Sequence, residues 1–177
     1  MSDAPFQIET DRLVLRPPTE RDAQDMSAIF GDMRVMEWLD REAPETPDEI
    51  LERARRHMRL QESLGYCIWL ARRKDTGELV GDCGVIPVAM KGPETEIGWR
   101  FAPAHWGHGY ATEAARAVLE HVFTKTELDR IIAVTRPDNV RSMGIMRKLG
   151  MTDRGTGRYY DKEQRVFDIT PEQWRAT

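Results

Sequence analysis

The sequence predicts one α+β domain: a single mixed, mostly antiparallel sheet of about seven strands flanked by about four helices. Three observations carry this. Before Gly65 the apolar residues recur at helical spacing, and from Tyr66 they run together as in a strand. Two turn signals, residues 74–77 and 91–93, then divide three strands that follow one another and so pair antiparallel. Later, residues 130–134 form an apolar stretch without polar alternation between two helical patterns, as expected of a strand covered on both faces. At 177 residues the chain is one domain, residues 1–177, because domains run to ~100–200 residues.

The elements follow in order. Ile8, Leu13 and Leu15 give a first strand, closed by Pro17-Pro18. Thr19 with Asp22 three residues on is a capping-box pattern. Ala23, Met26, Ile29 and Phe30 then share a helix face, and Met33, Met36, Trp38 and Leu39 continue at helical spacing. Residues 40–47, rich in proline and glutamate, are a loop. Asp48 is placed to cap a charged helix whose apolar side is Ile50, Leu51, Ala54, Met58 and Leu60, ending near Gly65. Within it, residues 53–57 (Arg-Ala-Arg-Arg-His) read as a solvated face. Strands follow at residues 66–71, 79–88 (loosened by Gly81 and Gly84) and 95–101. Gly107-His108-Gly109 opens a helix carrying Ala111, Ala114, Ala115, Val118, Leu119, Val122 and Phe123. After the strand at 130–134, Pro137-Asp138-Asn139 starts a helix with Met143, Met146 and Leu149 inward and Gly150 at its C-terminal cap. Tyr159-Tyr160 and residues 166–169 suggest a closing hairpin with Trp174 packed near its end; the tyrosines either line the acceptor side or close the sheet, the second being the preferred reading.

Composition excludes several classes. Lys and Arg total 26 against 30 Asp and Glu, a net charge of −4, where nucleic-acid binding needs a strong basic excess. Cys67 and Cys83 form no CxxC, so a disulfide framework and a cysteine zinc site are not expected, and a reducing, cytoplasmic setting is. Residues 1–5 carry neither a basic run nor an apolar stretch, so no secretory signal is expected. No apolar run reaches the ~20 residues that span a bilayer. His105 and His108 lack a third ligand, so no metal site is expected.

Two stretches carry chemistry. Residues 106–114 join a strand to a helix through Gly107 and Gly109. Glycines let backbone amides approach an anion, and a helix N-terminus adds unpaired N–H groups, so a phosphate or pyrophosphate fits; a tight turn with close helix packing is the competing reading. The loop is neither GxxxxGK[ST] nor GxGxxG. Asn139 and Ser142, three apart, share one helix face, although Asn139 also suits a simple helix cap.

Thr-Glu-Ile-Gly-Trp-Arg-Phe (95–101), Trp-Gly-His-Gly-Tyr-Ala-Thr-Glu-Ala (106–114), Asn-Val-Arg-Ser (139–142) and Lys-Leu-Gly-Met (148–151) together resemble the GNAT superfamily of N-acetyltransferases, and within it the Rim-type branch of ribosomal-protein N-terminal acetyltransferases and relatives with other acceptors. The opening Glu-Thr-Asp-Arg-Leu-Val-Leu-Arg (9–16) extends the resemblance to nearly the whole chain. It implies an acyl-CoA N-acyltransferase fold with a splayed sheet, acetyl-CoA as cosubstrate, no metal, and an amine acceptor, either a small molecule or a peptide N-terminus. The superfamily pyrophosphate loop falls on residues 106–111, so the amides of Gly107, His108, Gly109, Tyr110, Ala111 and Thr112 would hold the pyrophosphate. Trp106 stands where Gln or Arg is usual. The main chain of Trp99, Arg100 and Phe101 would bond the pantetheine arm, Asn139 would touch that arm, and Ser142 would lie near the thioester sulfur. The Tyr that many relatives carry is Met146 here, which leaves Ser142 as the candidate acid.

Acetyl transfer to an amine needs a proton acceptor, directly or through water, and an N–H donor for the developing oxyanion, which the strand around Phe101 can offer. Glu96 is the candidate base, with a surface strand carboxylate as the competing reading and Glu94 as substitute. Glu113 suits a dipole or structural partner. The acidic stretch at residues 37–42 suggests attraction for a cationic amine. A non-catalytic acyl-CoA sensor or interaction module is the alternative function; a monomer or homodimer, without nucleic acid or membrane, completes the expectation.

Overall fold

The computed structural model describes residues 6–177, so the reading of residues 1–5 lies outside the described residues. The strands are β1 (Ile8–Glu9), β2 (Leu13–Arg16), β3 (Ile68–Arg73), β4 (Leu79–Pro87), β5 (Thr95–Phe101), β6 (Ile131–Thr135), β7 (Thr152–Tyr159) and β8 (Lys162–Ile169). The helices are α1 (Ala23–Phe30), α2 (Met33–Met36), α3 (Pro47–Leu64), α4 (Tyr110–Lys125), α5 (Val140–Lys148) and α6 (Pro171–Arg175). One sheet holds all eight strands in the order β1-β2-β3-β4-β5-β6-β8-β7. Every neighbouring pair is antiparallel except β5 and β6.

The α+β class holds, and the counts rise for local reasons. The expected first strand is a tight hairpin: Thr10 N–H donates to Leu13 O (2.9 Å), Leu13 N–H donates to Thr10 Oγ1 (2.9 Å), and Ile8 pairs with Leu15. The extra helices are short, α2 with four residues and α6 with five. The cap of α3 is Thr46, not Asp48: Pro47 takes the first helical position, where its missing N–H costs nothing, and Glu49 closes the box with Thr46. Gly65 ends α3 at φ +78°. Gly84 does not loosen β4, which is continuous; a Cβ there would collide with the Cys67 carbonyl, so glycine permits the close approach of β3 and β4.

Helices cover both faces of the sheet. One core joins Ile97, Phe101, Ile131, Ala133 and Phe167 to Ala114, Val118 and Leu119 of α4 and Met143 and Met146 of α5. The other joins Leu70 and Leu79 to α1, α2 and α3 through Met26, Phe30, Met36, Ile50 and Ala54. Fully buried side chains such as Leu119 and Phe30 contribute roughly 1.5–3 kcal/mol each. Glu113 ties α4 to the β1–β2 hairpin, accepting from Thr10 Oγ1 (2.6 Å), Arg12 N–H (2.9 Å) and Arg12 Nε (2.7 Å). Burial opposes its ionisation, but these bonds win and hold its carboxyl below the usual range. No described helix is long and apolar enough to cross a membrane.

Candidate active site

The parallel strands β5 and β6 share a single register pair, Glu96 with Ile132, and then diverge. A cleft of about 1290 Å³ opens between them. Its wall includes Glu96, Gly98, Trp99, Arg100 and Phe101 of β5, loop residues 105–107, the first turn of α4, and Asn139, Ser142 and Ile145 at α5. The chemistry-bearing motifs, far apart in sequence, therefore meet at the point where the sheet splits.

Strand alternation divides β5. Ile97, Trp99 and Phe101 belong to the α4 side, whereas Arg100 lies near Phe30 on the α1–α3 side, the side to which Glu96 and Gly98 also turn. Ala102 N–H donates to Val80 O on β4 (2.9 Å), so the main-chain groups of Phe101 and Trp99 point the other way, into the cleft. One of these groups is taken: Trp106 Nε1 donates to Phe101 O at 2.6 Å. The Phe101 carbonyl is thus withdrawn as an acceptor for a ligand, while its N–H and the polar groups of Trp99 remain. Trp106 was readable only as a departure from a pattern; its work is to pin the glycine loop to the end of β5.

Gly107 and Gly109 have φ of +80° and +82°. A Cβ at Gly107 would meet nothing within 4 Å, so the left-handed backbone, not space, demands glycine. The first α4 amide with a carbonyl partner is Glu113, on Gly109 O at 3.0 Å. The amides of residues 107–112 have no partner among the described residues and can meet an anion. The His108 side chain lies outside the cleft wall: it is exposed, stacks on Tyr110 and has Nδ1 3.0 Å from Trp106 O.

Glu96 is 9% exposed and lines the cleft without a hydrogen-bond partner among the described residues. Burial pushes its carboxyl up to about 7, with Arg100 opposing. It is no surface strand carboxylate. Glu94, the substitute, is engaged elsewhere: it accepts from Tyr159 OH (2.9 Å) and Arg130 Nη1 (3.1 Å).

Asn139 caps α5, its Oδ1 accepting Ser142 N–H at 3.1 Å. The same residue lines the cleft, so capping and ligand contact are compatible. Asn139→Ala should lose about 1 kcal/mol of stability, a fall in Tm of roughly 2–4 °C, readable by calorimetry. Ser142 Oγ is half-buried in the cleft wall and makes no hydrogen bond among the described residues.

Some expectations change. Of the two readings of the tyrosines, core packing fails: Tyr159 is half-buried on Glu94, and Tyr160, 46% exposed at the β7–β8 turn, lines the cleft. Of the acidic stretch, Asp40 pairs with Lys162 at 2.9 Å and the Arg136 guanidinium covers the Trp38 ring at 5.1 Å, while the Glu37 and Glu42 carboxylates are exposed and have no ion pair among the described residues. Residues 53–57 are not simply solvated: Arg53 and Arg56 line the cleft and His57 is 3% exposed. The register signal was there for one buried pair the sequence reading missed. Asp82 of β4 faces Arg100 of β5 and accepts from its Nε (2.8 Å) and Nη2 (2.9 Å).

Residues 12–152 match the family described as an acetyltransferase (GNAT) domain. The chain is 33% identical over 153 residues to the uncharacterized N-acetyltransferase YoaA of Bacillus subtilis, covering 86% of each chain. Its fold is similar to that of a ribosomal-protein-S5-alanine acetyltransferase from Vibrio fischeri (TM-score 0.76, 18% identity, 96% of this chain and 98% of that one). It is also similar to AAC(6')-Ib solved with ribostamycin and coenzyme A (TM-score 0.80, 21% identity, 94% and 98%). A split sheet, a helix N-terminus with free amides at one side of the split and a family match that runs through both lead to one assignment: the chain belongs to the GNAT family and is an acyltransferase.

Proposed function

We propose that the chain transfers the acetyl group of acetyl-CoA directly to a primary amine, with both substrates in the cleft at once. The observation that carries this is Glu96: a buried, unpartnered carboxyl, raised to about 7, in the same cleft as the free amides of residues 107–112. An acid tuned to the working pH suits proton abstraction, whereas a CoA sensor needs no such group.

The residues fit the cosubstrate. The α4 amides suit a pyrophosphate, and the free polar groups of Trp99 and Phe101 form an open strand edge for an amide-containing arm. Acetyl-CoA supplies the acetyl group and a thiolate leaving group. Glu96, ionised, takes the proton that the amine loses as nitrogen bonds to the acetyl carbon. The Phe101 or Trp99 N–H is placed to donate to the carbonyl oxygen. As the carbon–sulfur bond breaks, Ser142 Oγ donates to the sulfur. The cysteines take no part: Cys67 and Cys83 are buried in the core and burial holds both thiols protonated, consistent with a cytoplasmic enzyme. The acceptor is a small amine or a peptide N-terminus.

Amine-dependent release of CoA thiol, with mass spectrometry of the amine, tests the reading. Transfer to any amine supports it; tight CoA binding without transfer across a broad amine and peptide panel overturns it. Ser142→Ala should lower kcat by on the order of 10–10²-fold with acetyl-CoA affinity unchanged, because a thiol leaves without full protonation. Steady-state kinetics with calorimetry reads both.

A further inference from the structure

On the α1–α3 side of the cleft, α3 presents two arginines, Arg53 and Arg56, near Arg100 on the sheet. Two of the three are committed. Arg53 forms a two-pronged pair with Glu45 (Nε to Oε2 2.9 Å), and Arg100 forms one with Asp82. Arg56 has no carboxylate partner among the described residues, and its Nε is buried without a hydrogen bond. His57 beside it is also without a partner at either ring nitrogen; burial, reinforced by Arg100, Arg53 and Arg56, keeps it neutral. An unpaired guanidinium in a partly desolvated wall is costly, and such groups are completed by what binds there.

We infer that the acceptor amine carries an anionic group, a carboxylate or a phosphate, and that Arg56 is the residue that selects it. This rests on the acetyl-transfer reading above. Glu45 and Glu52 lie near Arg56, but Glu45 is bonded to Arg53 and Glu52 to Arg59, so neither completes the Arg56 guanidinium. Within this one cleft α4 packs on one face of the sheet and α3 on the other, so the anion that meets Arg56 is assigned to the acceptor and the pyrophosphate to the α4 amides. Arg100 lies near both Glu96 and Arg56. An acceptor with its amine at Glu96 therefore reaches past the committed Arg100 to the uncommitted Arg56.

Matched pairs of amines test this: amino acids against their amides, and phosphoethanolamine against ethanolamine, each assayed by thiol release in the wild type, Arg56→Gln and Arg56→Lys. The two pairs distinguish carboxylate from phosphate. The kcat/KM preference for the anionic member should be at least tenfold in the wild type. It should fall by on the order of 10–10²-fold in Arg56→Gln, the loss expected for a charge-assisted bidentate contact, and be partly kept in Arg56→Lys. Comparing preferences between variants cancels the differing basicities of the amines. Acetyl-CoA affinity, by calorimetry, should not move. Transfer without anion preference, or a preference unchanged in Arg56→Gln, overturns this inference and leaves acetyl transfer standing. No transfer to any amine overturns both.

Discussion

Glu96→Gln should lower kcat at pH 7.5 by on the order of 10²–10³-fold, inside the range of general base catalysis. Acetyl-CoA affinity should be nearly unchanged, since the group acts on the amine. The amide keeps the shape of the acid and loses only its ability to take a proton. The same variant should be more stable than the wild type above pH 7. Glu96 has a folded value of about 7 against 4.5 for the free group. Between these values the folded chain holds a proton that the unfolded chain has lost, so stability declines as pH rises through this window. Removing the ionisable group removes the decline, a gain on the order of 2–3 kcal/mol at pH 8 and little at pH 4.5. Melting curves at the two pH values check it. A catalytic carboxyl that destabilises its own fold is what a site selected for chemistry predicts; a structural carboxyl would show the reverse.

Gly109→Asp should abolish useful CoA binding, with an affinity loss of at least about 10²-fold by calorimetry. Gly109 precedes α4 at φ +82°, and a Cβ added there would lie 3.5 Å from Arg12 Nη2, an ordinary contact. The fold can therefore accept the substitution at a backbone cost of roughly 1–2 kcal/mol, lower for Asp, which tolerates the left-handed region. A carboxylate at a helix N-terminus is itself well placed, so it would occupy the amides that the pyrophosphate needs and repel what remains. Gly109→Asn, with the same shape and no charge, should lose far less. Unchanged affinity in Gly109→Asp would remove the loop from the site.

Much of this arrangement was legible in the sequence, and the parts that were not share a cause. Periodicity located β3, β4, β5 and α4 because each has a one-sided or doubly buried apolar pattern. The glycine loop was legible because a backbone with positive φ leaves a residue signature. Glu96 was legible as a residue, but its chemistry comes from burial, which depends on β6 pairing with β5 at a single point and then departing. Arg53, Arg56 and His57 were misread for a related reason. In a helix with this many charges, local composition suggests solvent, and only the packing of α3 beside the cleft, through a core shared with Leu70 and Leu79 of the sheet, turns that face inward. Tyr160 reached the cleft through a tertiary turn, at φ 53° with Asp161 at 61°, that no local pattern announces.

If Glu96 takes the proton in an acetyl transfer at the split of the sheet, the pH dependence of kcat/KM carries its ionisation. With the amine well below its KM and acetyl-CoA saturating, kcat/KM for the amine should rise with pH through an ionisation near 7, the value that burial gives Glu96 before the amine binds, and again as the amine loses its own proton. In Glu96→Gln the limb near 7 should vanish, leaving a slow rate that grows only as the amine itself loses its proton at higher pH. A wild-type profile flat from pH 5 to 9, or a limb near 7 that survives intact in Glu96→Gln, would contradict the account.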